Sequence, residues 1–205
     1  MKLVELHARA VDLAVEVVDT VRPEKLDRPT PCAGWTLRRL LAHCVGQHLG
    51  FAAAARGAGP DLSLFADAPL GADPAEDFRR TGADLTAAFR EAAAAGRALW
   101  LPEVRADQPF PFAQGVGFHL LDTLVHGWDV AAALGGTGRL VAAVDGDDAL
   151  AGTLLAVTGA VPDTPEARGP GRAFRPGLVP GGGAGRFERA LALLGRDPAW
   201  RAQGA

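Results

Sequence analysis

Cysteine is nearly absent from this 205-residue chain: Cys32 and Cys44 are its only two. They are too far apart for a Cys-x-x-Cys metal clip and too few for a disulfide framework, so a reduced interior and a cytoplasmic location are expected. No secretory leader is expected either, because Met1-Lys2-Leu3-Val4-Glu5 mixes charge with apolar residues and has no hydrophobic core region. No stretch approaches the roughly 18 uninterrupted apolar residues of a membrane span. Lysine occurs only as Lys2 and Lys25 while alanine, arginine and glycine abound, a bias of genome composition rather than of chemistry. Nor is there an excess of one charge. With charged residues at 22% and a net charge of -3, neither a nucleic-acid backbone nor an anionic membrane surface is invited. A small-molecule partner, on a monomer or homodimer, is the remaining expectation.

What the chain has is apolar surface and helical rhythm. Hydrophobic residues make up 48%, enough for a sizeable core, and the length favours one compact unit. Val4, Leu6, Ala10, Leu13, Val17 and Val18 recur at spacings of three and four, which predicts an amphipathic helix over residues 3–21. Asp27-Arg28-Pro29-Thr30-Pro31 cannot be helical and reads as an extended connection. Thr36 is placed to cap a second helix running to about Arg56. After a Gly/Pro/Asp loop over 57–72, Asp73-Pro74 opens a third helix through Phe78, Leu85, Phe89 and Leu99. Residues 102–115 read as an irregular or short extended crossover, and a fourth helix spans about Val116 to Leu134, stopped by Gly135-Gly136. Two short helices follow near 147–159 and 185–194, separated by a Pro/Gly-rich stretch over 162–183. The fold class expected is all-α: a four-helix bundle over residues 1–138 with a C-terminal extension of additional helices, 139–205, packed on it.

Ionisable groups interrupt the fourth helix, which is otherwise strongly apolar. At about 100° per residue, His119, Asp122, His126 and Asp129 form one polar line. Buried bare they would be costly, so they are expected to be paired, wet or bound to a cation. Asp122 and His126, at i and i+4, project to one point and can share a metal ion. The bland alternative is a buried ion pair between helical neighbours. A third ligand must come from elsewhere, and histidine is scarce. The second helix supplies His43 and His48, about 140° apart on its surface, so both cannot face one ion. Periodicity slightly favours His48, and on physics alone the choice stays open.

Pro29-Thr30-Pro31-Cys32-Ala33-Gly34-Trp35-Thr36, followed by Leu40-Leu41-Ala42-His43, resembles the start of the mycothiol-dependent maleylpyruvate isomerase-like proteins of the DinB superfamily. Asp122-x-x-x-His126-Gly127-Trp128-Asp129 is similar to the second signature of that group. Arg189 to Leu194 with Gly195-Arg196-Asp197-Pro198-Ala199-Trp200 resembles the C-terminal motif of its metal-binding branch. The resemblance implies a DinB-like four-helix bundle with a divalent metal, zinc or nickel, on His43, Asp122 and His126, and it implies mycothiol as a thiol cofactor. Characterised isomerases of the group place glutamate where this chain has the shorter Asp122, so the resemblance does not carry their activity with it. His119, Asp129 and His48 are read as substrate-facing or supporting groups: His119 lining the pocket, Asp129 orienting a ligand or an arginine. Cys32 and Cys44 are read as structural filler, Trp35 and Trp128 as packing beside the site, Trp200 as an anchor for the C-terminal segment. The functional expectation is a metal-dependent transferase or isomerase using a thiol cofactor on a small molecule. The alternative is a non-catalytic metal-containing protein that binds a small ligand.

Overall fold

The computed structural model describes residues 2–169 and 173–202. Four long helices, α1 (Lys2–Val18), α2 (Leu37–Ala55), α3 (Pro74–Ala95) and α4 (Phe112–Leu134), are followed by the shorter α5 (Gly138–Asp145), α6 (Asp148–Gly159) and α7 (Arg186–Leu193). Local chemistry accounts for their ends. Thr36 Oγ1 accepts from the Arg39 N–H at 3.3 Å to open α2, and Asp73 accepts from the first free N–H groups of α3 with Pro74 at the first helical position. Gly135, at φ 86°, closes α4 in the left-handed conformation.

The expectation of a purely α-helical chain is corrected. Gly96, at φ 65°, ends α3, so Leu99 lies outside that helix, in an antiparallel hairpin of β1 (Leu99–Leu101) and β2 (Arg105–Phe110). Leu99 and Leu101 both point into the core with Trp100 half-buried between them. This period-two pattern is too short to stand out beside the alanine-rich end of α3. α4 also begins earlier than residue 116, because Pro111 supplies its N-cap, and α1 stops at Val18. α5 was not anticipated: eight residues whose Thr137 N-cap makes no side-chain hydrogen bond leave little periodicity to read. Of the Pro/Gly-rich stretch 162–183, residues 170–172 lie outside the described residues.

α1 lies along α4, α2 lies along α3, and the two pairs meet through α1 with α3 and α2 with α4. The outer flank of α4 is covered by α6 and α7, where Leu124 and Trp128 join Leu13, Leu154, Phe187 and Leu191 in one cluster. Packing on both sides explains why α4 is apolar nearly all round. Among the described residues no helix is long and apolar enough to cross a membrane.

Two close approaches position the site. A Cβ at Gly46 would strike the Ala66 carbonyl and one at Gly50 would strike the Phe65 ring. The missing side chains let the 62–68 segment lie directly on α2. The Ala68 N–H donating to the Ala42 carbonyl at 2.9 Å then fixes it there, which sets Asp67 beside His43.

Candidate metal centre

His43 from α2 and Asp122 and His126 from α4 come together: one donor atom from each lies within 4.8 Å of the others. Spacing along α4 accounts for half of this, since Asp122 Oδ1 and His126 Nε2 are 3.3 Å apart one helical turn along. The rings of His43 and His126 meet edge to face at 5.3 Å, and Trp35 also packs edge to face on His43 at 5.0 Å. Each histidine has a carboxylate behind it. Asp67 accepts from His43 Nδ1 at 3.3 Å, and Asp129 Oδ2 accepts from His126 Nδ1 at 2.9 Å. That pattern leaves Nε2 of both rings for a cation, the arrangement by which carboxylates orient ligating imidazoles.

The electrostatics agree with a cation-ready cluster. Burial opposes the charge on Asp122, yet His126 and His43 hold its carboxyl well below the usual range. Burial likewise disfavours protonated His126, but Asp122, Asp129 and Cys32 raise it well above an ordinary histidine. Without an ion, the two flanking carboxylates favour the imidazolium form of His126, and a divalent cation would take the place of its Nε2 proton. Burial lowers His43, opposed in part by Asp122. Two neutral nitrogens and one carboxylate, with Asp122 still 29% exposed, fit a three-ligand centre with a position left for a further ligand.

An open cleft of about 550 Å³ adjoins His43, lined by Leu62, Phe65, Asp67 and Glu103. Glu103 sits in the turn between β1 and β2, and its Oε2 accepts from the buried Gln47 amide at 2.9 Å. Burial, aided by Asp122 and Asp67, raises its carboxyl above the ordinary glutamate value.

Several expectations change. Cys32 is not filler: its thiol donates to Asp129 Oδ2 at 3.1 Å and lies 3.9 Å from His126 Nδ1. Asp129 does hold an arginine, Arg196, through Nε to Oδ1 and Nη2 to Oδ2, both at 3.0 Å. His119 does not line a pocket. It is fully buried, bonded to His7 at 2.8 Å and Thr123 at 3.0 Å, among Phe51 and Phe89. His48 is also in the core, bonded to Thr81 at 2.9 Å, and it is His43 that meets the α4 pair. Cys44 remains a core residue, with burial pushing its thiol up to about 12. The groups not anticipated, Asp67, Glu103 and Arg196, come from loops, where no periodicity announces a direction; Arg196 carried a signal only as part of the C-terminal motif.

Fold and site together define a mostly helical protein with a His/Asp/His cluster at the meeting of α2 and α4. The sequence profile of the mycothiol maleylpyruvate isomerase N-terminal domain family matches residues 7–131, and the chain belongs to that family. An uncharacterized protein of Mycobacterium tuberculosis, found in two strains, is 31% identical over 175 residues, 82% of this chain and 83% of that protein. The crystal structure of the mycothiol-dependent maleylpyruvate isomerase superposes with TM-score 0.58 at 15% identity, covering 78% of this chain and 67% of the other. A histidine-to-alanine mutant of that enzyme gives TM-score 0.61, also at 15% identity, over 87% and 74%. At that identity the likeness is one of fold.

Proposed function

We propose that this chain holds one divalent metal ion on His43, Asp122 and His126 and uses it, with a thiol cofactor of the mycothiol type, in an isomerase or S-transferase reaction on a small molecule. The observation that carries the reading is the convergence of those three donors with a carboxylate behind each imidazole. In this reading residues 1–138 form a DinB-like four-helix metal-binding bundle and 139–205 an extension packed on it. Zinc or nickel suits the donor set. Such an ion supplies Lewis acidity, which polarises a carbonyl or lowers the pKa of a coordinated thiol. The family and the isomerase fold support the thiol half.

The chain's own groups have separable parts in this scheme. Asp67 and Asp129 fix the ring orientations of His43 and His126. Gln47 engages Glu103 Oε2, which leaves Oε1 to receive or return a proton at the cleft, and the raised carboxyl pKa suits that exchange. Leu62 and Phe65 give the cleft an apolar wall against water. Elemental analysis of protein purified without chelator tests the base of the proposal: about one divalent ion per chain is expected, and His126→Ala should remove it. Protein with no stoichiometric metal would end the proposal.

The second reading, a metal-containing binding protein without turnover, is favoured by the short Asp122, at the position where the family resemblance implies glutamate. Incubation of the metal-loaded protein with mycothiol and candidate electrophiles separates the two. A thiol adduct or isomerised product supports catalysis, and a ligand recovered unchanged supports binding.

A further inference from the structure

Arg196 lies outside the matched family region, in the turn after α7, yet it reaches α4. The turn is built for this. α7 ends in a Schellman motif, with the Gly195 N–H on the Ala192 carbonyl and the Arg196 N–H on the Leu191 carbonyl, both at 2.9 Å. Gly195 has φ 75°, and a Cβ there would come within 2.8 Å of the Arg175 and Pro176 carbonyl oxygens. Only glycine gives the chain this reversal, and the reversal sends the Arg196 side chain inward, where just 7% of it stays exposed.

Its guanidinium then meets Asp129 side-on, touching both carboxylate oxygens at 3.0 Å, and its Nη2 reaches Cys32 Sγ at 3.3 Å. Asp129 is fully buried and its Oδ2 also receives His126 Nδ1 and the Cys32 thiol. Two groups of side chains around His126 therefore have the spacing of metal ligands: His43–Asp122–His126, and Cys32–His126–Asp129. Arg196 distinguishes them, because its fixed positive charge already sits on the second.

We infer that Arg196 is a positioning residue of the metal centre: by holding the Asp129 carboxylate in place against His126 Nδ1 it directs Nε2 to the ion, and by its charge it reserves the Cys32–His126–Asp129 group against a cation, so that one ion binds, beside His43. The inference rests on the metal reading proposed above. Without Arg196, a buried carboxylate would lose its matching charge. Asp129 would then lose the two-point contact that fixes its plane, and the orientation of His126 would loosen.

Zinc affinity, measured by competition with a chromophoric chelator, is expected to fall ten- to a hundredfold in Arg196→Gln, with Asp129→Asn similar and the double variant no worse than either alone. Arg168 supplies the control for mere loss of structure. It is equally buried in the C-terminal segment but donates to the carbonyls of Pro162, Arg175 and Leu193, so Arg168→Gln should lower the melting temperature and leave zinc affinity unchanged. Should Arg196→Gln yield no soluble protein, Arg196→Lys, which keeps the charge and loses the fork, should still bind zinc more weakly than wild type. A second readout needs no metal: the hydrogen-bonded Nδ1 proton of His126 should give a downfield NMR signal in the metal-free wild type, lost in Arg196→Gln and kept in Arg168→Gln.

Wild-type zinc affinity in the Arg196 variants overturns the inference and leaves the metal reading standing. A cobalt complex whose thiolate charge-transfer band disappears in Cys32→Ala overturns the inference as well, and with it the choice of His43 and Asp122 as ligands, since the ion would then sit in the group assigned to Arg196. If wild-type protein binds no metal, the metal reading falls and the inference with it; dependence of the NMR signal on Arg196 would then show only that Arg196 fixes the Asp129–His126 pair.

Discussion

His126 meets a carboxylate at each ring nitrogen, and the two contacts differ in what a metal would change. The Nε2 contact with Asp122 is replaceable by a cation, whereas the Nδ1 contact with Asp129 is braced by Arg196 and would persist. The remaining buried histidines behave oppositely. Burial lowers His7 to about 3 and His48 to about 4, and lowers His119 as well. An unfolded chain protonates these rings first, so stability falls as pH drops below about 6.5 and the fall from His48 levels off near 4, for about 3 kcal/mol from that residue. His126 has the reverse sign in the metal-free protein: its contribution is full below about 6.5 and is lost as pH rises through its elevated folded value. Urea unfolding of metal-free protein should therefore give a stability maximum close to neutrality and a steep acid limb. A His48→Gln variant should show a shallower acid limb, and an unchanged one would contradict the burial account.

Among the elements, α4 gathers most of the centre and the loops complete it. Its i, i+3 and i, i+4 spacings made Asp122, His126 and Asp129 readable as one polar line, and caps such as Thr36 and Asp73 made the helix starts readable. Direction off a helix was harder to read. His43 sits on the flank of the apolar stripe of α2, and only the meeting of α2 with α4 gives that flank its partner; His48, nearer the stripe's centre, goes to the core as a stripe residue should. Asp67, Glu103 and Arg196 depend on contacts between segments distant in sequence, which periodicity cannot encode. Gly195 is where such a contact becomes testable. Gly195→Ala meets both a positive φ and two carbonyls at 2.8 Å, and should destabilise the protein by about 1–3 kcal/mol while also weakening zinc binding, because Arg196 moves with the turn. Loss of stability with metal affinity intact would separate the turn from the centre. On the hairpin, Leu99→Ala, at a fully buried position, should cost about 2–5 kcal/mol in denaturant unfolding.

At the scale of the whole molecule, an ion held by α2 and α4 together ties the two helical pairs to each other. An ion bound only by the folded state stabilises it by mass action, about 2.7 kcal/mol when free metal is a hundred times the dissociation constant. EDTA should therefore lower the melting temperature, and zinc should restore it in a concentration-dependent way. The most direct test of the centre itself is calorimetric titration of the metal-free protein with zinc, in wild type and in His43→Ala, Asp122→Ala and His126→Ala. One site per chain, lost or strongly weakened in all three variants, is the expected result; no binding in the wild type, or binding that survives removal of these side chains, would contradict it.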